Sequence, residues 1–67
     1  MLNILINGEK KEINPDTSIS GLISMLELDV EKIAIERNEE IIHLENYSKT
    51  ILKNNDKIEI IHFVGGG

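Results

Sequence analysis

The sequence predicts an α+β fold in which one helix packs on one face of a mixed sheet of four to five strands. Three observations lead there. Apolar residues alternate near both ends of the chain, an Asn-Gly pair follows the first alternating run, and one stretch carries apolar residues at helical spacing. A single amphipathic helix can cover only one sheet face, so the elements must pack as two layers.

The first strand spans 2–7. Leu2, Ile4 and Ile6 share one face, and Asn3, Leu5 and Asn7 share the other. Asn7-Gly8 then makes a hairpin turn, because both residues tolerate positive φ. The returning strand, 9–14, is largely polar (Lys10, Lys11, Glu12), which suits a sheet edge. Pro15 ends it, since proline has no N–H for a ladder. Thr17 or Ser18 caps the helix. Ile19, Leu22, Ile23 and Leu26 fall at i, i+3, i+4 and i+7, which is one apolar stripe over two to three turns. Gly21 weakens that helix by about 1 kcal/mol relative to alanine and leaves room for another backbone to approach.

Ile33 and Ile35 lead a third strand that runs into Glu36-Arg37. Asn38-Glu39 turns the chain, and 40–44 returns as a fourth strand. Residues 45–49 are polar except for Tyr47 and make a turn or one short helical turn. Thr50-Ile51-Leu52 leads into a turn at Lys53-Asn54-Asn55-Asp56. The last strand is 57–64, with Ile58 and Ile60 on one face and Ile61 and Phe63 on the other. A strand that is apolar on both faces belongs in the middle of its sheet. The first and last strands are therefore placed side by side, which is a β-grasp arrangement with its domain at 1–64 and a flexible glycine tail at 65–67.

Size and composition exclude several function classes. Sixty-seven residues make one domain with a small core. The chain has no cysteine, so it offers no disulfide, thiolate metal site or thiol nucleophile. Thirteen isoleucines and seven leucines supply the packing instead. The net charge of −5 repels phosphate backbones, and only Tyr47 and Phe63 could stack on bases, which argues against nucleic acid. The N-terminus has neither a basic leader nor a long apolar run, so the chain is expected to be cytoplasmic, unprocessed at its start and without a membrane partner. His43 and His62 show no metal-ligand spacing and read as packing or surface residues. Glu36, Glu39 and Glu40 read as a solvated turn. No catalytic residue, metal site or bound cofactor is expected, and the chain is not read as an enzyme.

Val64-Gly65-Gly66-Gly67 closes the sequence directly after the last strand. Glycine has no Cβ, so such an arm fits a channel too narrow for any side chain. Three extended residues reach about 10 Å. Gly67 is therefore expected to be the working group, presented through its α-carboxylate, with Gly65 and Gly66 as the threading arm. Leu5, Ile61, Phe63 and Val64 form an expected partner-binding patch on the sheet face away from the helix, which no second helix covers.

The whole chain resembles the ubiquitin-like sulfur carriers, and within them the ThiS-like sulfur carriers of thiamine biosynthesis. The resemblance rests on the Asn7-Gly8 hairpin, the Thr17-Ser18-Ile19 helix start with Leu22, and the Ile35-Glu36-Arg37-Asn38 strand end. It is sharpest in Lys57-Ile58-Glu59-Ile60-Ile61-His62-Phe63-Val64-Gly65-Gly66-Gly67. Asn54-Asn55-Asp56 stands where the family commonly has Asp-Gly-Asp, and Asn38-Glu39 where it often has Asn-Gly; both departures fall on turns. The resemblance implies an E1-like adenylyltransferase (ThiF-like) that adenylates the terminal carboxylate with ATP. A sulfur donor then displaces AMP to leave a thiocarboxylate, and a thiazole synthase (ThiG-like) receives the sulfur. Alternatives are a molybdopterin-synthase small-subunit-like or tRNA-thiolation carrier, and a plain β-grasp interaction module whose glycines do nothing.

Overall fold

The computed structural model describes residues 1–63. The strands and helix follow in the order β1 (Leu2–Ile6), β2 (Glu9–Ile13), α1 (Ile19–Met25), β3 (Ile33–Arg37), β4 (Glu40–Ile42) and β5 (Lys57–His62). They form one sheet in the order β2-β1-β5-β3-β4. Strands β1 and β5 are parallel, and every other neighbouring pair is antiparallel. This is the β-grasp arrangement, with β5 at its centre and α1 on one face. The buried side chains lie between helix and sheet; Ile4, Ile35 and Ile58 from the strands meet Ile19 and Leu22 from α1.

Local chemistry explains each boundary. Ser18 is the helix cap, and its Oγ accepts the Gly21 N–H at 3.0 Å. Thr17 faces backward instead, donating its hydroxyl to the Asn14 carbonyl at 2.6 Å. The first helical amides find partners in the segment ahead of β5. Ile19 N–H donates to the Thr50 carbonyl at 3.0 Å, and Ser20 N–H to the Tyr47 carbonyl at 3.1 Å. Tyr47 is buried by the same contact. At the other end Glu27 takes a left-handed φ of 58°, and Leu28 N–H closes back on the Ile23 carbonyl at 3.1 Å.

Three details differ from the sequence reading. Strand β4 stops at Ile42, because His43 turns the chain into a 3-10 turn at Leu44–Asn46 that delivers Tyr47 to the core. Strand β5 ends at His62, and Val64, the expected last residue of that strand, lies outside the described residues, as do Gly65, Gly66, Gly67 and the expected domain boundary. No backbone crowds Gly21. A Cβ built there would meet only Ser18 Oγ and Thr17 Cγ2, both at the ordinary contact distance of 3.5 Å. Gly21→Ala is therefore expected to raise stability by up to about 1 kcal/mol, read from the urea midpoint.

Asp56 ties the turn before β5 to the β3–β4 hairpin. It is 5% exposed. Its carboxylate accepts from the Lys53 N–H at 2.8 Å, the Arg37 Nε at 2.9 Å and the Asn38 Nδ2 at 3.0 Å. Burial alone raises the carboxyl's pKa, but the Lys53, Asn38 and Arg37 donors together outweigh it and hold it below its ordinary value. A depressed folded pKa stabilises the fold at pH above the unfolded value of about 3.9, and that stabilisation is lost as pH falls through the folded value. Asp56→Asn is expected to cost about 1–3 kcal/mol at pH 7. Its deficit against wild type should shrink in urea titrations carried down through pH 4 to pH 2. An equal deficit at every pH would contradict the role given to this carboxylate.

Candidate functional site

The sheet face away from α1 carries the alternate residues of each strand. On β5 these are Lys57, Glu59 and Ile61, with Phe63 one step beyond. On β3 they are Ala34 and Glu36, on β4 Ile41, and on β1 Asn3 and Leu5. The register sets their neighbours. Ala34 pairs with Ile61, Glu36 with Glu59, and Ile41 with Glu36. An apolar strip through Ala34 and Ile61 therefore lies beside the point where β5 leaves the sheet.

Ile61 and Phe63 are 42% and 56% exposed, as expected for an uncovered face. Leu5 is half-buried and pairs with Lys57, well upstream of Ile61 along the strand direction. The two are joined by a shallow groove lined by Leu5, Asn7, Lys57, Glu59 and Ile61. The structure thus places Leu5, Ile61 and Phe63 on one face, with Leu5 at its far end.

Ile41 belongs to this surface and is 66% exposed, more than either Ile61 or Phe63. The sequence reading passed over it. The signal was the adjacency of Ile41 and Ile42 in a short strand, since successive strand residues point to opposite faces and only one can reach the core. Ile42 packs against the core, so Ile41 points away. Ala34 was missed for a different reason: one small residue carries no pattern.

Two carboxylates meet at the centre of the face. Glu36 and Glu59 stand directly opposite each other across β3 and β5, and like charges in that position disfavour the sheet. Glu36 is half-buried on the strand, whereas Glu39 and Glu40 are exposed at the turn. Glu36 therefore belongs to the open face and departs from the solvated-turn reading. His43 and His62 are both exposed. Among the described residues no group of three His, Cys, Asp or Glu could hold a metal ion. No helix of the described residues is long and apolar enough to cross a membrane.

The exit of the chain is fixed. Phe63 N–H donates to the Lys32 carbonyl at 2.9 Å, so pairing with the β3 side runs to the last described residue. The arm Gly65-Gly66-Gly67 and the adjoining Val64 lie outside the described residues. Phe63, the last described residue, lies at the edge of the open apolar face.

Three comparisons bear on this geometry. The family model described as the ThiS family matches residues 4–67. The sulfur carrier protein ThiS of Bacillus subtilis is 41% identical over 63 residues, covering 92% of this chain and 96% of that protein. A thiazole synthase of Paramagnetospirillum magneticum is 35% identical over 66 residues, covering 98% of this chain but 20% of its own length. The chain thus spans about a fifth of the thiazole synthases it matches. The crystal structure of the thiamine biosynthesis protein ThiS from Geobacter metallireducens superimposes with a TM-score of 0.83 at 28% identity. That match covers 98% of this chain and all of the other.

Truncating the open face is expected to leave the fold nearly intact. Ile41→Ser, Ile61→Ala and Phe63→Ala should each lie within about 1 kcal/mol of wild type in urea unfolding. Leu22→Ala, which empties the buried core, should cost about 2–5 kcal/mol.

Proposed function

We propose that this chain, which belongs to the ThiS family, is a sulfur carrier whose Gly67 carboxylate is converted to a thiocarboxylate for thiazole formation in thiamine biosynthesis. The observation that carries the reading is an open apolar sheet face that reaches Phe63, directly before the Val64-Gly65-Gly66-Gly67 sequence. A relative named as a sulfur carrier, similar over almost its whole length, supports it.

In this reading the chain supplies position and fit, and the partners supply the catalytic groups. A carboxylate is a poor electrophile because its negative charge is delocalised and oxide is a poor leaving group. A Gly67 carboxylate oxygen attacks the α-phosphorus of ATP on an E1-like adenylyltransferase. Pyrophosphate leaves, and a mixed anhydride with AMP remains. A sulfur donor at the sulfide level then attacks the carbonyl carbon. The C–S bond forms, the C–O bond to AMP breaks, and a thiocarboxylate remains. A thiazole synthase accepts that sulfur; matching proteins of that name contain a segment similar to this chain. ATP and the sulfur donor act in the partners, and the carrier itself holds no cofactor. The same reading places carrier and partners in the cytoplasm.

Leu5, Ile41, Ile61, Phe63 and Val64 make the docking surface. The opposed Glu36 and Glu59 give it a negative centre that a basic group on the partner would neutralise.

Incubated with the adenylyltransferase, ATP and sulfide, the chain should become about 16 Da heavier, the difference between a sulfur and an oxygen atom. Deleting Gly67, or adding a residue after it, should abolish that gain while the domain stays folded. Ile61→Ala and Phe63→Ala should each weaken partner binding by about tenfold in titrations, as loss of a buried apolar anchor does. An unchanged mass under these conditions would leave a plain β-grasp interaction module as the better description.

A further inference from the structure

We infer that Asn7 is a positioning residue for the C-terminal arm, its side chain acting as a substitute rung that locks the distal half of β5; the inference rests on the carrier reading above. Strand β1 pairs with β5 through only two registers, Leu5 with Lys57 and Ile6 with Ile58. Asn7 N–H then donates to the Ile58 carbonyl at 2.9 Å, and there the backbone ladder stops. The chain turns away because Asn7 and Gly8 take left-handed φ values of 49° and 85°. Ile60, the next residue of β5 facing that side, is buried and would be left with both main-chain groups unpaired.

The Asn7 carboxamide fills that gap. Its Oδ1 accepts the Ile60 N–H at 2.8 Å, and its Nδ2 donates to the Ile60 carbonyl at 3.3 Å. A carboxamide has the donor and acceptor of a peptide group, so it copies the next rung of a parallel ladder. Asparagine is also the side chain best suited to this backbone conformation, so one residue makes the turn and extends the sheet.

A second asparagine clasps the opposite end of β5. Asn38, at φ 52° in the β3–β4 turn, donates its N–H to the Lys57 carbonyl at 2.8 Å and accepts the Lys57 N–H on Oδ1 at 2.9 Å. Asn38 thus holds the start of the strand, far from the arm. Asn7 holds Ile60, three residues before Phe63, where only the β3 side continues to pair. The geometry of the arm's root therefore depends on Asn7 and not on Asn38. Asn7 also lines the groove between Leu5 and Ile61, but its carboxamide is turned onto the Ile60 main chain, and the apolar docking side chains are Leu5, Ile41, Ile61 and Phe63. Losing the Asn7 carboxamide should then misplace the arm in an otherwise normally docked complex, which lowers kcat and leaves KM alone.

The test compares wild type, Asn7→Gly and Asn38→Gly as substrates of the adenylyltransferase with ATP and sulfide, scored by the mass gain over time. Glycine keeps each turn's backbone conformation and removes only the side chain. Asn7→Gly should lower kcat by about tenfold and keep KM within about twofold of wild type, with faster amide hydrogen exchange at Ile60. Asn38→Gly should lose stability in urea yet keep the wild-type kcat. Unchanged kcat in Asn7→Gly, a change confined to KM, or an equal fall in kcat for both variants would each overturn the inference. Should Asn7→Gly fail to fold, Asn7→Ser, whose hydroxyl is one bond shorter than the carboxamide and cannot bridge both Ile60 groups, takes its place with the same expected kcat loss and the same overturning outcomes. A wild-type chain that is never thiocarboxylated overturns the carrier reading as well.

Discussion

The Asp56 carboxylate decides where the last strand begins. It gathers an N–H from its own turn and two side chains from the β3–β4 hairpin, while its carbonyl accepts the Leu5 N–H of β1 at 2.9 Å. One residue thus joins three parts of the chain that are remote in sequence. A buried carboxylate left without donors is strongly disfavoured, so this arrangement is close to all-or-none. Once it forms, β5 can enter the sheet in only one register, and the face on which Ile61 points outward follows from that register.

The two faces of the sheet do different work. The helix side is closed by aliphatic packing, with Ile19, Leu22 and Ile35 fully buried, and it supplies the stability of a small domain that has no cysteine for a disulfide. The other side is apolar without a cover. The exposed Ile41 on β4 and the exposed Ile61 on β5 gain little for the monomer, since apolar area stabilises only when it leaves water. That area is available for association, and it extends to Phe63, the last described residue. Burial on one face thus supplies the folding energy, and the apolar area of the other contributes none of it.

The hairpin turns illustrate a second economy. Both Asn7 and Asn38 sit at left-handed backbone positions, and the carboxamide oxygen of each accepts an N–H of β5. The central strand is therefore held by side chains at the places where its neighbours turn away. The β3–β4 turn goes further and sets Glu39 at φ 72° without a glycine. Asn38 anchors that turn by bonding both Asp56 and Lys57, which compensates a conformation that glutamate disfavours.

Much of this protein is local and was legible in the residues alone. The Asn7-Gly8 turn, the α1 stripe, the central place of the last strand and the exposure of Ile61 and Phe63 all follow from period and turn chemistry, which act over a few residues. What the sequence could not settle depended on partners far along the chain. Ser18 rather than Thr17 caps the helix because Thr17 is engaged with Asn14. The fourth strand ends early because Tyr47 is drawn into the core, and its carbonyl meets the start of α1. Ile41 joins the open face only once β4 has taken its register on β3. The roles of Asp56 and Asn7 rest on contacts made across dozens of residues, and no local pattern records a hydrogen bond whose acceptor arrives only when the sheet closes.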